Sequence, residues 1–304
     1  MTHHSIRGVL PQAFTENIRG VCGARGDEWL RELPDVVARL QARWNLVVEP
    51  CFPDLSFNYV APATRKDGTR VVLKIGLPTD DNEIISEAAY LRLAGGSGAV
   101  KLLDEDPALR ALLLQRAFPG ENLRRVFRTS PDGAVDVVAF IVKKLIRRSP
   151  VESGEFFYLN DWTAKLHEAG RYPFPPRPVQ QALATFVESG DDDKYLLHGD
   201  LHHANILSDE NAGFLAIDPK GLIGDLRYDL GVFLNNHRGW LRDDPDLLLH
   251  LKTAVGKFSA AFGYSDVEIR RWAFAQKVLA AYWTMTDGGS RWREQLAAAD
   301  VWHL

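Results

Sequence analysis

The segment His198-Gly199-Asp200-Leu201-His202-His203-Ala204-Asn205 sets an aspartate and an asparagine five positions apart. Apolar pairs enter it (Leu196-Leu197) and leave it (Ile206-Leu207). Thirteen residues past Asn205, Ala216-Ile217-Asp218 ends a second apolar run on a carboxylate. Phosphoryl transfer needs this set of groups. One carboxylate accepts the proton of an attacking hydroxyl, and an amide oxygen with a second carboxylate holds Mg2+ against nucleotide phosphates. The Asp-x4-Asn spacing alone is weak, since about 0.5 instances arise by chance in a chain of this length. Singly, Asp200 and Asn205 read as loop caps and Asp218 as the start of a turn. Together, in apolar strand-like surroundings, they outweigh that reading. A zinc site on His198, His202 and His203 fits poorly: the adjacent His202 and His203 point apart in an extended segment, and no Cys or Glu stands at ligand spacing. His198 reads instead as an imidazole that braces the loop through hydrogen bonds.

A second set of groups lies earlier. In Val71-Val72-Leu73-Lys74-Ile75 the side chains alternate, so Lys74 shares a face with Val72, opposite Val71, Leu73 and Ile75. A lysine inside an apolar strand is costly if buried without a partner. Glu87, thirteen residues on, is a plausible partner and Glu83 a competing one. Such a pair would hold the ammonium where it meets nucleotide phosphates; an edge strand with Lys74 in water is the plainer reading. Gln115 and Ala117 stand where Leu112–Gly120 leaves the β-rich region. In a two-lobed kinase such a link reads the adenine edge through backbone groups, and the alternative is a plain linker.

The elements around these groups follow from pattern. Asp27–Trp44 has helical periodicity, with Pro34 predicting a kink or break inside it. Phe57–Ala61 and Arg70–Ile75 read as strands of a hairpin turned at Arg65–Gly68. A helix follows over Glu83–Leu93. Two more strands, Ala99–Leu103 and Ala111–Gln115, are split by the turn-forming Asp104–Pro107. Beyond Pro119-Gly120 the chain reads as mainly helical, over Val135–Arg148, Phe156–Ala169, Val179–Ser189, Leu247–Phe262 and Val267–Thr286, with a strand-loop-strand region at Tyr195–Asp218. The fold class is therefore α+β and bilobal. A small β-rich N-lobe occupies 1–115, a larger mainly helical C-lobe 116–304, and the hinge lies at about 115–120.

Composition narrows the function classes. The 304 residues are 46% hydrophobic and 25% charged, which excludes a disordered or fibrous chain. A net charge of -4, from 36 basic and 40 acidic residues, gives no general reason to expect nucleic acid or an anionic membrane as partner. The N-terminus lacks the charged region and apolar run of a secretory signal, and no apolar stretch reaches the ~18 residues of a membrane span. Cys22 and Cys51 cannot form a disulfide framework for a chain this long. A soluble, cytoplasmic protein is expected.

His198-Gly199-Asp200-x4-Asn205, Ile217-Asp218, Asp225-x3-Asp229 and Val72-Leu73-Lys74 together resemble the aminoglycoside phosphotransferase family, nearest its streptomycin 6-phosphotransferase and hydroxyurea phosphotransferase branch. Ala216-Ile217-Asp218-Pro219-Lys220-Gly221 is the most specific stretch, with Asp-Pro-Lys where most aminoglycoside kinases have Asp, a small residue and Gly. The likeness runs from about residue 25 to at least 240. It implies a protein-kinase-like fold with the nucleotide between the lobes and ATP (or GTP) and Mg2+ as cofactors. It further implies Asp200 as catalytic base, Asn205 and Asp218 as Mg2+ ligands, Lys74 on the phosphates and Glu87 orienting Lys74. Asp229 would brace the catalytic loop. In the loop before Val60, Ser56 and Asn58 are the nucleotide-binding candidates. That loop lacks the glycines of a phosphate-cradling turn, and Leu55 and Phe57 stand where small residues would let backbone approach. The short segment after Asp218, without an Ala-Pro-Glu signature, points away from a protein kinase. The implied acceptor is a small hydroxylated molecule: streptomycin first, with hydroxyurea or another metabolite as rival, and a non-catalytic nucleotide binder as the rival of another class. Carboxylates of the second lobe, among them Asp161, Asp191, Asp192, Asp193, Asp243, Asp244, Asp246 and Asp287, could meet a cationic acceptor. Trp272, Trp283 and Trp292 could line its pocket, although helical spacing favours core packing.

Overall fold

A computed structural model describes residues 10–79, 83–147, 154–187 and 194–303. The candidates Asp191, Asp192 and Asp193 lie outside the described residues, as do the ends of the helices expected to reach Arg148 and Ser189. The described chain forms two compact units. The first runs to Gly96 and adds Val100–Ala117; the second takes Ser97–Ala99 and the chain from Phe118 onward.

The first unit contains α1 (Gln12–Trp44), β1 (Leu46–Val48), β2 (Tyr59–Arg65), β3 (Arg70–Ile75), α2 (Glu83–Ala94), β4 (Leu102–Asp106) and β5 (Ala111–Gln115). Its sheet has the order β1-β2-β3-β5-β4, antiparallel throughout. The expected hairpin is present, with Tyr59 opposite Ile75 and Val60 opposite Lys74. Its turn uses Gly68 at φ 85 and an Asp67 carboxylate that accepts the Thr69 N–H at 2.9 Å. Phe14, Ile18, Leu33, Val37 and Leu40 of α1 pack with Val71, Leu73 and Ile75 of β3 in one buried cluster. Alternation then turns Lys74 to the opposite face, where α2 carries Glu87.

Two expectations fail here for physical reasons. The helix starts at Gln12 rather than Asp27, and its break falls at Gly23 (φ 55, ψ -132), while Pro34 keeps helical dihedrals. Glycine has no Cβ to oppose a positive φ, so the chain turns there. The strand expected at Ala99–Leu103 instead occupies Leu102–Asp106, and Ala99 forms a bridge with Ala216. β4 lies at the sheet edge, where charged residues are tolerated. Glu105 and Asp106 are held there by Arg92 (2.7 Å) and Arg43 (3.1 Å), and the turn moves on to Pro107–Arg110.

The second unit contains β6 (Pro119–Asn122), α3 (Leu123–Val126), α4 (Asp132–Leu145), β7 (Phe157–Tyr158), α5 (Leu159–Ala164), α6 (Pro176–Val187) and β8 (Tyr195–Leu197). These are followed by β9 (Ile206–Asp209), β10 (Gly213–Ala216), β11 (Leu222–Gly224), α7 (Arg227–Trp240), α8 (Leu247–Phe262), α9 (Asp266–Thr286) and α10 (Trp292–Ala297). Two small sheets, β10-β9-β6 and β7-β11-β8, carry the loops with the candidate residues. The single helix expected over Phe156–Ala169 is instead β7, α5 and a 3-10 turn. Phe157 and Tyr158 pair in parallel with Leu222 and Ile223, a tertiary partner that outweighs local periodicity.

α7 packs closely on α9. A Cβ at Gly231 would fall 3.0 Å from the Trp272 carbonyl oxygen, so only glycine permits this approach. Arg227, at the start of α7, donates to Asp225 and to Glu268, the latter at 2.8 Å. Asn235 donates to the Ala273 carbonyl at 2.8 Å and accepts from Trp302 at 2.9 Å. These bonds fix α7, and α7 in turn carries Asp229. Trp272 is core, as its spacing implied, while Trp292 lines a cavity of about 650 Å3 with Phe274 and Asp300.

Candidate active site

β8 delivers the candidate segment by pairing Leu197 with Leu222 of β11. The chain then turns at Gly199 (φ 83), where a Cβ would lie 2.9 Å from Leu222 Cγ, so both the dihedral and the space require glycine. Leu201 is fully buried and anchors the far side of the turn. Asn205 closes a 3-10 turn and passes the chain into β9, whose hairpin with β10 ends just before Ile217 and Asp218.

Asp229 holds this turn from α7. Its Oδ2 accepts the His198 N–H and its Oδ1 the Gly199 N–H, both at 2.8 Å. Burial pushes the Asp229 carboxyl up to about 7, opposed by those two donors. The bracing role expected of Asp229 is what its contacts perform. His198 supplies a second brace. Its Nδ1 accepts the Asp200 N–H at 3.3 Å, which leaves the proton on Nε2 to be donated to the Ile217 carbonyl at 2.9 Å. Burial pushes this imidazole down to about 3, so it stays neutral and keeps that tautomer. One ring thus ties the Asp200 turn to the residue before Asp218.

The three candidates of this unit come together. Asn205 Nδ2 donates to the Asp200 carbonyl at 3.0 Å and to Asp200 Oδ2 at 3.2 Å. This orientation commits the amide hydrogens, so the polar atom that the Asn205 side chain presents on its other side is Oδ1, a lone-pair donor. The Ile217 N–H donates to the Asn205 carbonyl at 2.9 Å. Asp218 adopts φ 60, an uncommon conformation for a residue other than glycine, and such strain collects at functional sites. Burial raises the Asp200 carboxyl above its ordinary range. His202 and Lys220 oppose that rise, and the charge of Asp218 adds to it, so the two carboxylates sense each other. Hard oxygen donors of this kind suit Mg2+.

In the first unit the lysine finds its partner in Glu87. Lys74 Nζ lies 2.5 Å from Glu87 Oε2, with the two residues only 4% and 3% exposed. The glycine-poor loop is held by side chains instead. Leu55 is buried in the unit's core rather than lying open, the Ser56 carbonyl accepts from Asn17 at 3.2 Å, and Asn58 Oδ1 accepts the Leu77 N–H at 3.1 Å. Gln115 is engaged at both ends: its N–H donates to the Lys101 carbonyl at 2.8 Å and its Oε1 accepts the Lys101 N–H at 3.1 Å. Ala117 is buried.

Residues 43–288 match the family described as aminoglycoside/hydroxyurea antibiotic resistance kinase. The chain belongs to this family. A hydroxyurea phosphotransferase of Kitasatospora aureofaciens is 33% identical over 291 residues, covering 92% of this chain and 81% of the relative. A streptomycin 6-kinase of Streptomyces glaucescens is 27% identical over 288 residues, covering 92% of each. Among solved structures, an amicoumacin kinase in complex with AMP-PNP, Ca2+ and Ami superposes with TM-score 0.63 at 14% identity, covering 91% of this chain and 96% of that one. The fold is therefore protein-kinase-like, and the chain is a phosphotransferase. Among the described residues no helix is long and apolar enough to cross a membrane.

This kinase also buries a histidine pair beside the Asp200 turn that pattern reading does not reveal. His203 Nε2 and His237 Nδ1 lie 3.1 Å apart, and both residues are fully buried. Burial pushes both imidazoles down. For His237, Asp132 counters this while His250, Arg124 and Lys257 reinforce it. An imidazole neutral in the fold and titrating near 6.5 when unfolded stabilises fully above about pH 6.5 and loses that contribution as pH falls. With His198 the effect is about 2 kcal/mol per histidine at pH 5, while the raised Asp229 offsets roughly one of the three. Urea unfolding at pH 7.5 and pH 5 should show stability falling by several kcal/mol. A flat profile would mean that these rings do not stay neutral.

Proposed function

We propose that this kinase transfers the γ-phosphoryl group of ATP to the streptidine 6-hydroxyl of streptomycin in the cytoplasm. The arrangement of Asp200 and Asn205 on one braced turn, with Asp218 tied to that turn through the Ile217 carbonyl, is the observation that carries the hydroxyl-phosphorylating chemistry. The streptomycin 6-kinase relative, matched over 92% of both chains, supports the acceptor. Asp200 accepts the hydroxyl proton, aided by a raised affinity for it. Lys74 contacts the phosphates, with Glu87 fixing the ammonium, and Ser56 and Asn58 carry the loop that meets the nucleotide. The Gln115 N–H is already bonded, so of the two link positions the Ala117 peptide is the better reader of an adenine edge. Asn205 and Asp218 would hold Mg2+, which neutralises phosphate charge when bound.

Hydroxyurea is the second reading, favoured by the 33% identity to a hydroxyurea phosphotransferase. Labelled ATP supplied with streptomycin, hydroxyurea and a panel of hydroxylated metabolites separates the two, with mass analysis of the product. Streptomycin carrying one added phosphoryl group is the expected result. Product from hydroxyurea alone would shift the reading to it. Nucleotide binding without product in any arm would make the chain a non-catalytic binder. Asp218→Ala should abolish Mg2+-dependent ATP binding in calorimetry while metal-free binding stays as in wild type. Equal metal dependence in the variant would remove Asp218 from the metal site.

A further inference from the structure

Lys220 has no part in the scheme above, yet its side chain starts against the catalytic turn. Its N–H donates to the His198 carbonyl at 2.7 Å. Its Cβ lies 3.0 Å from the point a Cβ on Gly199 would occupy, one residue before Asp200. The preceding Pro219 is buried, while Lys220 itself is half-buried. From that start its charge acts on both neighbours, opposing the rise that burial causes in the Asp200 carboxyl and adding to the fall of the His198 imidazole. Other groups acting on Asp200 are His202, whose Nε2 lies 3.6 Å from Asp200 Oδ1, and the anion of Asp218.

We propose that Lys220 is a catalytic residue that contacts the phosphoryl group during its transfer. The inference rests on the reading of Asp200 as the base. In the transfer step the acceptor oxygen forms a bond to the γ-phosphorus, its proton passes to Asp200, and the bond from that phosphorus to the bridging oxygen breaks. The electron pair stays on the nucleoside diphosphate. Once Asp200 is protonated its charge is gone, and the Lys220 ammonium faces the equatorial oxygens of the phosphoryl group. Preorganised cations directed at such charge are where catalysis of this step is concentrated. A lysine fixed by its own backbone bond to the catalytic turn meets that requirement.

The test compares Lys220→Met, Lys220→Gln and Lys220→Arg with wild type, using ATP with streptomycin and with hydroxyurea, and ATP hydrolysis by water as a further readout. Calorimetric Mg-ATP affinity and the melting temperature are measured alongside. Met and Gln should lower kcat by about 10²–10³-fold with nucleotide affinity within a few-fold of wild type. Arg should recover part of the loss through its charge, and the melting temperature should stay put. Wild-type kcat in the Met variant would overturn the role of Lys220 and leave Asp200 standing. A rate loss that tracks a fall in melting temperature, equal in all three variants, would also overturn it by showing a structural lysine. Wild-type protein that transfers phosphate to none of the three acceptors would fail the reading of the site itself, and the proposal with it.

Discussion

Asp200→Asn should yield a folded protein that binds Mg-ATP with near wild-type affinity and turns over about 10²–10⁴-fold more slowly. The fold is expected to survive because the turn does not depend on the carboxylate charge. The backbone bond from Asn205 Nδ2 to the residue 200 carbonyl remains, and an asparagine oxygen can still accept the second bond at the position of Oδ2. The brackets from Asp229 to His198 and Gly199 are untouched. Burial already disfavours the anion at this position, so its removal relieves a desolvation cost. Only the capacity to accept a proton disappears. Single-turnover transfer from labelled ATP, paired with thermal unfolding and calorimetry, reads all three quantities. Unimpaired turnover would remove Asp200 as the base. A rate loss accompanied by lost nucleotide binding would make it a positioning group instead.

The same geometry explains which parts of the site were legible from the sequence. Asp200 and Asn205 lie on one short segment whose apolar borders define two strands, so spacing alone places them on one turn. The hairpin of β2 and β3 was readable because alternation and turn chemistry agree, and α8 fills the expected Leu247–Phe262. The bracing was less accessible. His198 meets the Ile217 carbonyl across 19 positions and Asp229 meets the turn across 31, so no local periodicity records either contact. The early half of α1 escaped notice because Gly20, Gly23 and Gly26 interrupt its pattern, although Phe14 and Ile18 keep a helical i, i+4 spacing and are fully buried. In the loop before β2, Leu55 seats the chain in the first unit's core, a tertiary anchoring that its sequence neighbours do not announce. β7 formed where a helix was expected because its hydrogen-bonding partner, β11, is more than sixty residues away.

The ion pair of Lys74 and Glu87 allows stability and chemistry to be separated. Lys74→Met takes the cation from a glutamate that is 3% exposed. Breaking a buried pair from one side costs about 3–5 kcal/mol, because the remaining charge keeps its desolvation penalty and loses its compensation. Lys74→Met combined with Glu87→Leu removes both charges while keeping similar volumes on β3 and α2, and such replacements are often neutral. Denaturant unfolding should therefore show the single variant destabilised by several kcal/mol and the double variant returned to within about 1 kcal/mol of wild type. Turnover should behave differently. If Lys74 contacts phosphate, the double variant stays about 10²–10³-fold slow despite its regained stability, since no cation stands at that place on β3. Recovery of both quantities together would show that the ion pair holds α2 to the sheet and does no chemistry. The two outcomes differ in a rate measured on a folded protein, so an unstable single variant cannot obscure the distinction.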